Sequence, residues 1–255
     1  MCALSAEELL LACGSAGLLA VSLRTDLTVF AAKQPTAIRE FVYGVAFDTN
    51  TDTLLLFFQT PTDVYQLVSL RRNASEWLEV QRLDTNPNPR SHYIPSISVC
   101  DSRVLLGQYG NPRTLHVFDV SEAHTLSDAG DVTPERRFYG FACARRGNDT
   151  LVAFAHSSSV SLQRLASLPL RLEPLASVDL TDPRRLLFRG DLLLVADWNE
   201  ATRTHAIVSF RAADNALSER LVLLGAQTGI PRAWALAGER LVLANSKDLL
   251  EYGFT

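Results

Sequence analysis

The 255-residue chain carries a formal charge of −4 at pH 7 and a pI near 5.7, which argues against general nucleic-acid binding, where a domain-wide basic surplus supplies the affinity. No apolar run reaches the roughly 18 residues of a membrane span. The four cysteines, Cys2, Cys13, Cys100 and Cys143, form no CxxC pair and have no histidines at zinc-ligand spacing, so neither a disulfide framework nor a zinc site is expected.

Met1 to Gly17 is apolar in part but carries Glu7 and Glu8 and lacks a basic leading segment, so it does not read as a secretory signal and intracellular residence is expected. From there on, short β-rich runs alternate with turn residues, and helical periodicity is sustained nowhere. The runs group into a unit of roughly 36 to 52 residues. Its second strand is the clearest part, at Gly17 to Val21, Thr53 to Phe57, Arg103 to Gly107, Thr150 to Phe154, Asp191 to Val195 and Arg240 to Ala244. A third strand follows each, at Leu27 to Phe30, Val64 to Leu70, Leu115 to Val120, Val160 to Leu165, Ala206 to Phe210 and Leu249 to Phe254. A fourth, more polar segment is read in the first five units, for instance Trp77 to Gln81 and Ser218 to Val222. The sixth unit has none, so its outer strand is expected from Met1 to Ala6 or is absent. Asn73-Ala74-Ser75 and Asn148-Asp149-Thr150 match the glycosylation pattern but read as turns in a chain without a secretion signal.

In this pattern the chain resembles the β-propeller superfamily along essentially its whole length. The resemblance implies an all-β fold: a single six-bladed β-propeller over residues 1–255, of mostly four-stranded antiparallel blades, the last three-stranded or completed by the N-terminus. No Gly-His opens the repeats and no Trp-Asp closes them, so any kinship with WD40 repeats is divergent, and kelch double glycines are missing too. Asp191-Leu192-Leu193-Leu194-Val195-Ala196-Asp197-Trp198-Asn199 looks like the turn of NHL repeats and six-bladed lactonase-like propellers.

Proline and arginine recur ahead of the first strand of five units, at Pro35 to Arg39, Pro89-Arg90, Pro134 to Arg137, Pro183 to Arg185 and Pro231-Arg232. A feature that recurs in a repeat recurs in space. In a propeller these loops share a face with the second-to-third strand loops, which carry Arg113, Arg203 and Lys247, so cations are expected to concentrate on one face. Arg39, Arg90, Arg136, Arg137, Arg184, Arg185 and Arg232 would hold an acidic or phosphorylated segment of a partner protein through charge-assisted forks. Tyr93, Tyr139 and Trp234 would supply flat anchors, with Phe41, Tyr43 and Phe138 nearby. The opposing reading pairs the arginines with neighbours such as Glu40, Glu135 and Asp182.

The function expected is thus a non-enzymatic interaction scaffold or adaptor, compatible with a place in a larger complex, without cofactor or metal. Two alternatives stand beside it. Phosphoinositide or nucleic-acid phosphate could occupy the same face. The lactonase resemblance instead implies a metal-dependent hydrolase with Asp197 and Asn199 on a central calcium, although the pair also reads as a tight turn. Cys13, Cys100 and Cys143 fall at similar heights of their strands, where other units hold Phe47, Phe188 and Ala237, and so mark a packing slot whose thiols separate blades keep apart. His92, His116, His124, His156 and His205 are scattered, and no Gly-x-Ser-x-Gly or phosphate loop is present. Arg189-Gly190-Asp191 spells an adhesion tripeptide by chance.

Overall fold

A computed structural model describes residues 1–5, 7–23, 29–33, 41–62, 64–74, 76–85, 92–109, 113–213, 215–228, 233–244 and 249–253. All regular structure in them is antiparallel β. The first sheet joins β1 (Cys2–Ala3), β2 (Glu8–Ala12), β3 (Leu18–Leu23) and β4 (Val29–Lys33). The second is β5 (Phe41–Asp48), β6 (Thr53–Gln59), β7 (Tyr65–Asn73) and β8 (Glu76–Asp84), and the third is β9 (His92–Cys100), β10 (Arg103–Tyr109), β11 (Thr114–Val120) and β12 (Leu126–Val132). Next come β13 (Gly140–Arg146), β14 (Asp149–Ala155), β15 (Ser159–Ser167) and β16 (Leu170–Asp179), then β17 (Pro183–Arg189), β18 (Leu192–Asn199), β19 (Thr204–Ala213) and β20 (Ala216–Thr228). A three-stranded sheet of β21 (Ala233–Ala237), β22 (Arg240–Ala244) and β23 (Leu249–Gly253) follows. The arrangement is a β-propeller with five four-stranded blades and this shorter sheet after them. No helix among the described residues is long and apolar enough to cross a membrane.

Burial explains the strand compositions. Second strands are covered on both faces by neighbouring sheets, so they are continuous apolar runs, and Leu54 to Phe58 of β6 are wholly buried. Outer strands face water on one side, and β8 and β16 alternate or mix polar with apolar residues accordingly. Each side chain of Leu or Phe size buried between sheets contributes about 1.5–3 kcal/mol. The apolar clusters lie between consecutive sheets, for example Leu105, Val117 and Val132 of the third with Val152 and Phe154 of the fourth. One cluster, Leu9, Val21, Ala237 and Val242, joins the last sheet to the first.

The N-terminal segment does not supply an outer strand to the last sheet. Cys2 and Ala3 pair with Leu10 and Leu9 of β2, and β1 lies against β21 and β5 as well. Met1 and Ala3 pack on the cluster between last and first sheets, while Cys2 and Leu4 pack on the cluster shared by the first two. The physical reason is polarity: an outer strand is half solvated, and this short apolar segment is better covered at the centre of the ring. Burial pushes the Cys2 thiol up to about 12. The outer segment expected of the first unit, after Lys33, lies outside the described residues.

Candidate functional site

Loops leading into first strands and loops between second and third strands emerge on one face, because successive antiparallel strands reverse direction. Around the fourth and fifth sheets that face is well defined. The chain leaves β12 and is anchored by Phe138, buried to 1 % exposure, and by a Tyr139 N–H bond to the Ala155 carbonyl of 2.8 Å. Tyr139 thereby has two guanidinium groups over its ring, Arg137 at 5.3 Å and Arg184 at 5.1 Å from the centroid. Such contacts hold cations over an aromatic face.

Arg184 is fixed a second time, donating from Nε at 2.9 Å and Nη2 at 2.6 Å to Asp182 Oδ2. Asp182 sits in a loop that Asp197 organises, accepting the Asp182 N–H at 2.8 Å and the Thr181 N–H at 3.2 Å. Burial raises the Asp182 pKa, Arg184 opposes that, and Asp197 and Glu200 add to it. Tyr139, Thr181, Asp182, Arg184, Trp198 and Glu200 line a cavity of about 360 Å³. Trp198 and Glu200 escaped the sequence reading, because their approach to Tyr139 depends on how adjacent sheets meet.

Beneath Arg137 lies His156, 2 % exposed. Its Nδ1 donates to the Arg137 carbonyl at 2.7 Å, and its Nε2 accepts from Ser161 Oγ at 2.8 Å. Burial lowers its pKa, with the charges of Arg136 and Arg113 acting in the same direction and the Arg137 carbonyl opposing. The unfolded chain takes up this proton near pH 6.5, the folded protein only at lower pH. Stability supplied by neutral His156 is therefore full above about pH 6.5 and is lost as pH falls below it. His156→Gln is expected to flatten that loss, read as a smaller drop in denaturation midpoint between about pH 7 and pH 5.

The other expected site residues divide. Arg136 donates to Ser159 Oγ at 3.2 Å and is exposed beside Arg137. The charge of Arg185, next to Arg184 on β17, reaches the Met1 amino group. Trp234 belongs to the core: it is 7 % exposed, its Nε1 donates to the Leu186 carbonyl at 3.2 Å, and it packs with Leu194 and Ile207. Tyr93 lies in β9, while Arg39, Arg90 and Arg232 fall outside the described residues.

Cations are not confined to one face. At the opposite end Arg145 meets Asp101 at 3.2 Å, Arg146 donates to the Gly190 carbonyl at 2.6 Å, and Arg189 pairs with Glu239, each linking neighbouring sheets. The expectation that separate blades keep the cysteines apart is also corrected. Cys100 and Cys143 share one cluster, and the neighbouring Cys143 thiol, together with burial, pushes the Cys100 thiol well up. Asp197 and Asn199 behave as turn formers: Asn199 Oδ1 accepts from Ala201 N–H at 3.1 Å and Thr202 N–H at 3.3 Å.

Comparison with known proteins gives the fold and no more. No family model and no curated protein matches the chain. Among solved structures, a chain of a nidogen/laminin complex superposes with a TM-score of 0.68 at 14% identity, covering 96% of this chain and 89% of that one. A candidate 6-phosphogluconolactonase from Bacteroides uniformis superposes with a TM-score of 0.64 at 14% identity, covering 94% and 75% respectively. A Lactobacillus plantarum protein superposes with a TM-score of 0.60 at 14% identity, covering 97% and 92%.

Proposed function

We propose that the protein is a non-enzymatic interaction module whose Tyr139-centred face binds an acidic or phosphorylated segment of a partner protein. The observation that carries this reading is the pair of guanidinium groups, Arg137 and Arg184, over the Tyr139 ring, with Arg136 exposed alongside. Guanidinium groups ordered on an aromatic face lose little further freedom when they fork onto a carboxylate or phosphate, so the anion meets a prepared site. Arg39, Arg90 and Arg232 recur at corresponding places of the sequence repeats. The same reading takes residues 1–255 as one ring in which β21–β23 is the sixth blade, supported by the Leu9, Val21, Ala237 and Val242 cluster. A nidogen/laminin complex among the neighbours shows that this fold occurs in a protein assembly. The calcium-dependent hydrolase is the weaker reading, because Asp197 and Asn199 already accept backbone hydrogen bonds.

The test is a fluorescein-labelled decapeptide rich in aspartate with one phosphoserine, titrated by anisotropy. Arg136→Ser combined with Arg137→Ser is expected to weaken binding at least tenfold, about 1.4 kcal/mol, while the melting temperature stays put, since exposed charges contribute little to folding. Wild-type affinity should fall as salt rises, the Debye length being about 8 Å at physiological ionic strength. Equal binding by wild type and double variant overturns the reading.

A further inference from the structure

The cavity beside the guanidinium pair has a chemistry of its own. Tyr139 and the buried Trp198 line it with aromatic carbon, and Asp182 and Glu200 bring two carboxylates against the single guanidinium of Arg184. The backbone builds this site. Asp182 gives its N–H to Asp197 Oδ1 at 2.8 Å and takes the Trp198 N–H on its carbonyl at 3.0 Å, so both its main-chain groups are fixed. A register shift between Pro183 and Arg185 opens β17 at this point, and such bulges re-aim side chains. Glu200 follows Asn199, whose Oδ1 holds the turn through Ala201 and Thr202.

Charge selects what the cavity takes. Arg184 bonds only Oδ2 of Asp182, and among the described residues neither Asp182 Oδ1 nor the Glu200 carboxylate has a hydrogen-bond partner. Burial raises the Asp182 pKa, and the charges of Asp197 and Glu200 add to the rise against Arg184, as expected of a site short of positive charge. An anion placed here would meet two carboxylates at close range. A calcium ion takes about six to eight oxygen ligands, whereas no group of three His, Cys, Asp or Glu side chains placed to hold a metal occurs among the described residues. The volume of about 360 Å³ lies near the lower end of small-ligand sites, about 300–1,000 Å³, and gives room for a side chain. A basic side chain suits both linings, its methylene stem on aromatic carbon and its charged head at the carboxylates.

We infer that this cavity takes a lysine or arginine side chain of the partner segment whose anion meets Arg136 and Arg137. Tyr139 is common to the two sites, since it lines the cavity and carries Arg137 at 5.3 Å from its ring. An extended segment rises about 3.3 Å per residue, so the base lies within about three residues of the acidic or phosphorylated group. This deepens the reading above and rests on it for the anion.

The test extends the phosphopeptide titration to a series made with and without the phosphate, in which lysine, arginine or the uncharged norleucine is moved through the positions flanking the serine. At one position the basic residue should bind at least about tenfold tighter than norleucine, the scale of a charge-assisted hydrogen bond. Glu200→Gln, a change at an exposed turn position, should erase that difference. Arg136→Ser with Arg137→Ser should weaken binding of both peptides and keep their ratio. No gain over norleucine at any position, an equal gain at every position, as bulk attraction to an acidic protein would give, or a gain that survives Glu200→Gln overturns the inference. A lysine effect that persists while the phosphate has none overturns the anion reading instead, so the two failures are told apart.

Discussion

Phe154→Ala is expected to lower the unfolding free energy by about 3–5 kcal/mol, a large part of the 5–15 kcal/mol typical of folded domains. Phe154 is fully buried, its ring stands edge-on to Phe138 at 5.1 Å and stacks with His156 at 6.4 Å. Phe138 also meets Phe141 edge-on at 6.0 Å. Removing Phe154 leaves a cavity between the third and fourth sheets and withdraws the support of the residue that anchors Arg137 and Tyr139. Chemical denaturation should show the loss, and the phosphopeptide used above should bind more weakly to the folded variant. Phe154→Leu fills most of the space and should cost far less. A midpoint unchanged in the alanine variant contradicts this account of the core.

Gly140→Val is expected to cost about 3 kcal/mol, the upper part of the range for overpacking. A Cβ at Gly140 would stand 2.7 Å from the Arg184 carbonyl oxygen, a backbone atom that cannot swing aside. Relief requires β13 and β17 to part, and they carry Tyr139 and Arg184 at their ends, so peptide affinity should fall with stability. Gly225→Ala is the control, since nothing lies within 4 Å of a Cβ built there. Denaturation curves of the two variants should separate clearly, and coincident curves would show that the close approach is not needed.

The repeat was legible because second strands are covered on both sides, and double coverage demands the apolar runs that start at Thr53, Arg103, Thr150 and Arg240. Pairing of the first residues was not read correctly, although the signal was present: Cys2-Ala3-Leu4 is too apolar for a half-solvated rim. Of the site, the loops carrying Arg137 and Arg184 could be located from their recurrence. Their convergence on Tyr139, the turn toward the core taken by Trp234, and the meeting of Cys100 with Cys143 could not. These depend on the registration of one sheet against the next, which repeat spacing leaves open. Arginines at the opposite end were overlooked because their partners, Asp101 and Glu239, belong to neighbouring repeats.

The short strand at Cys2–Ala3 gives the ring a clasp. Between every other pair of adjacent sheets the chain itself runs across, so separation there is limited by covalent connection. Among the described residues, the last sheet and the first are joined by side-chain packing and a two-residue strand, linking residues more than 200 positions apart. Such a contact pays the greatest loop-closure entropy in the molecule and, by the logic of sub-global opening, is the first to part. Its fluctuations would bring Cys2 and Met1 into solvent while the sheets from β5 to β20 stay folded, so native-state exchange should be quickest along this one seam.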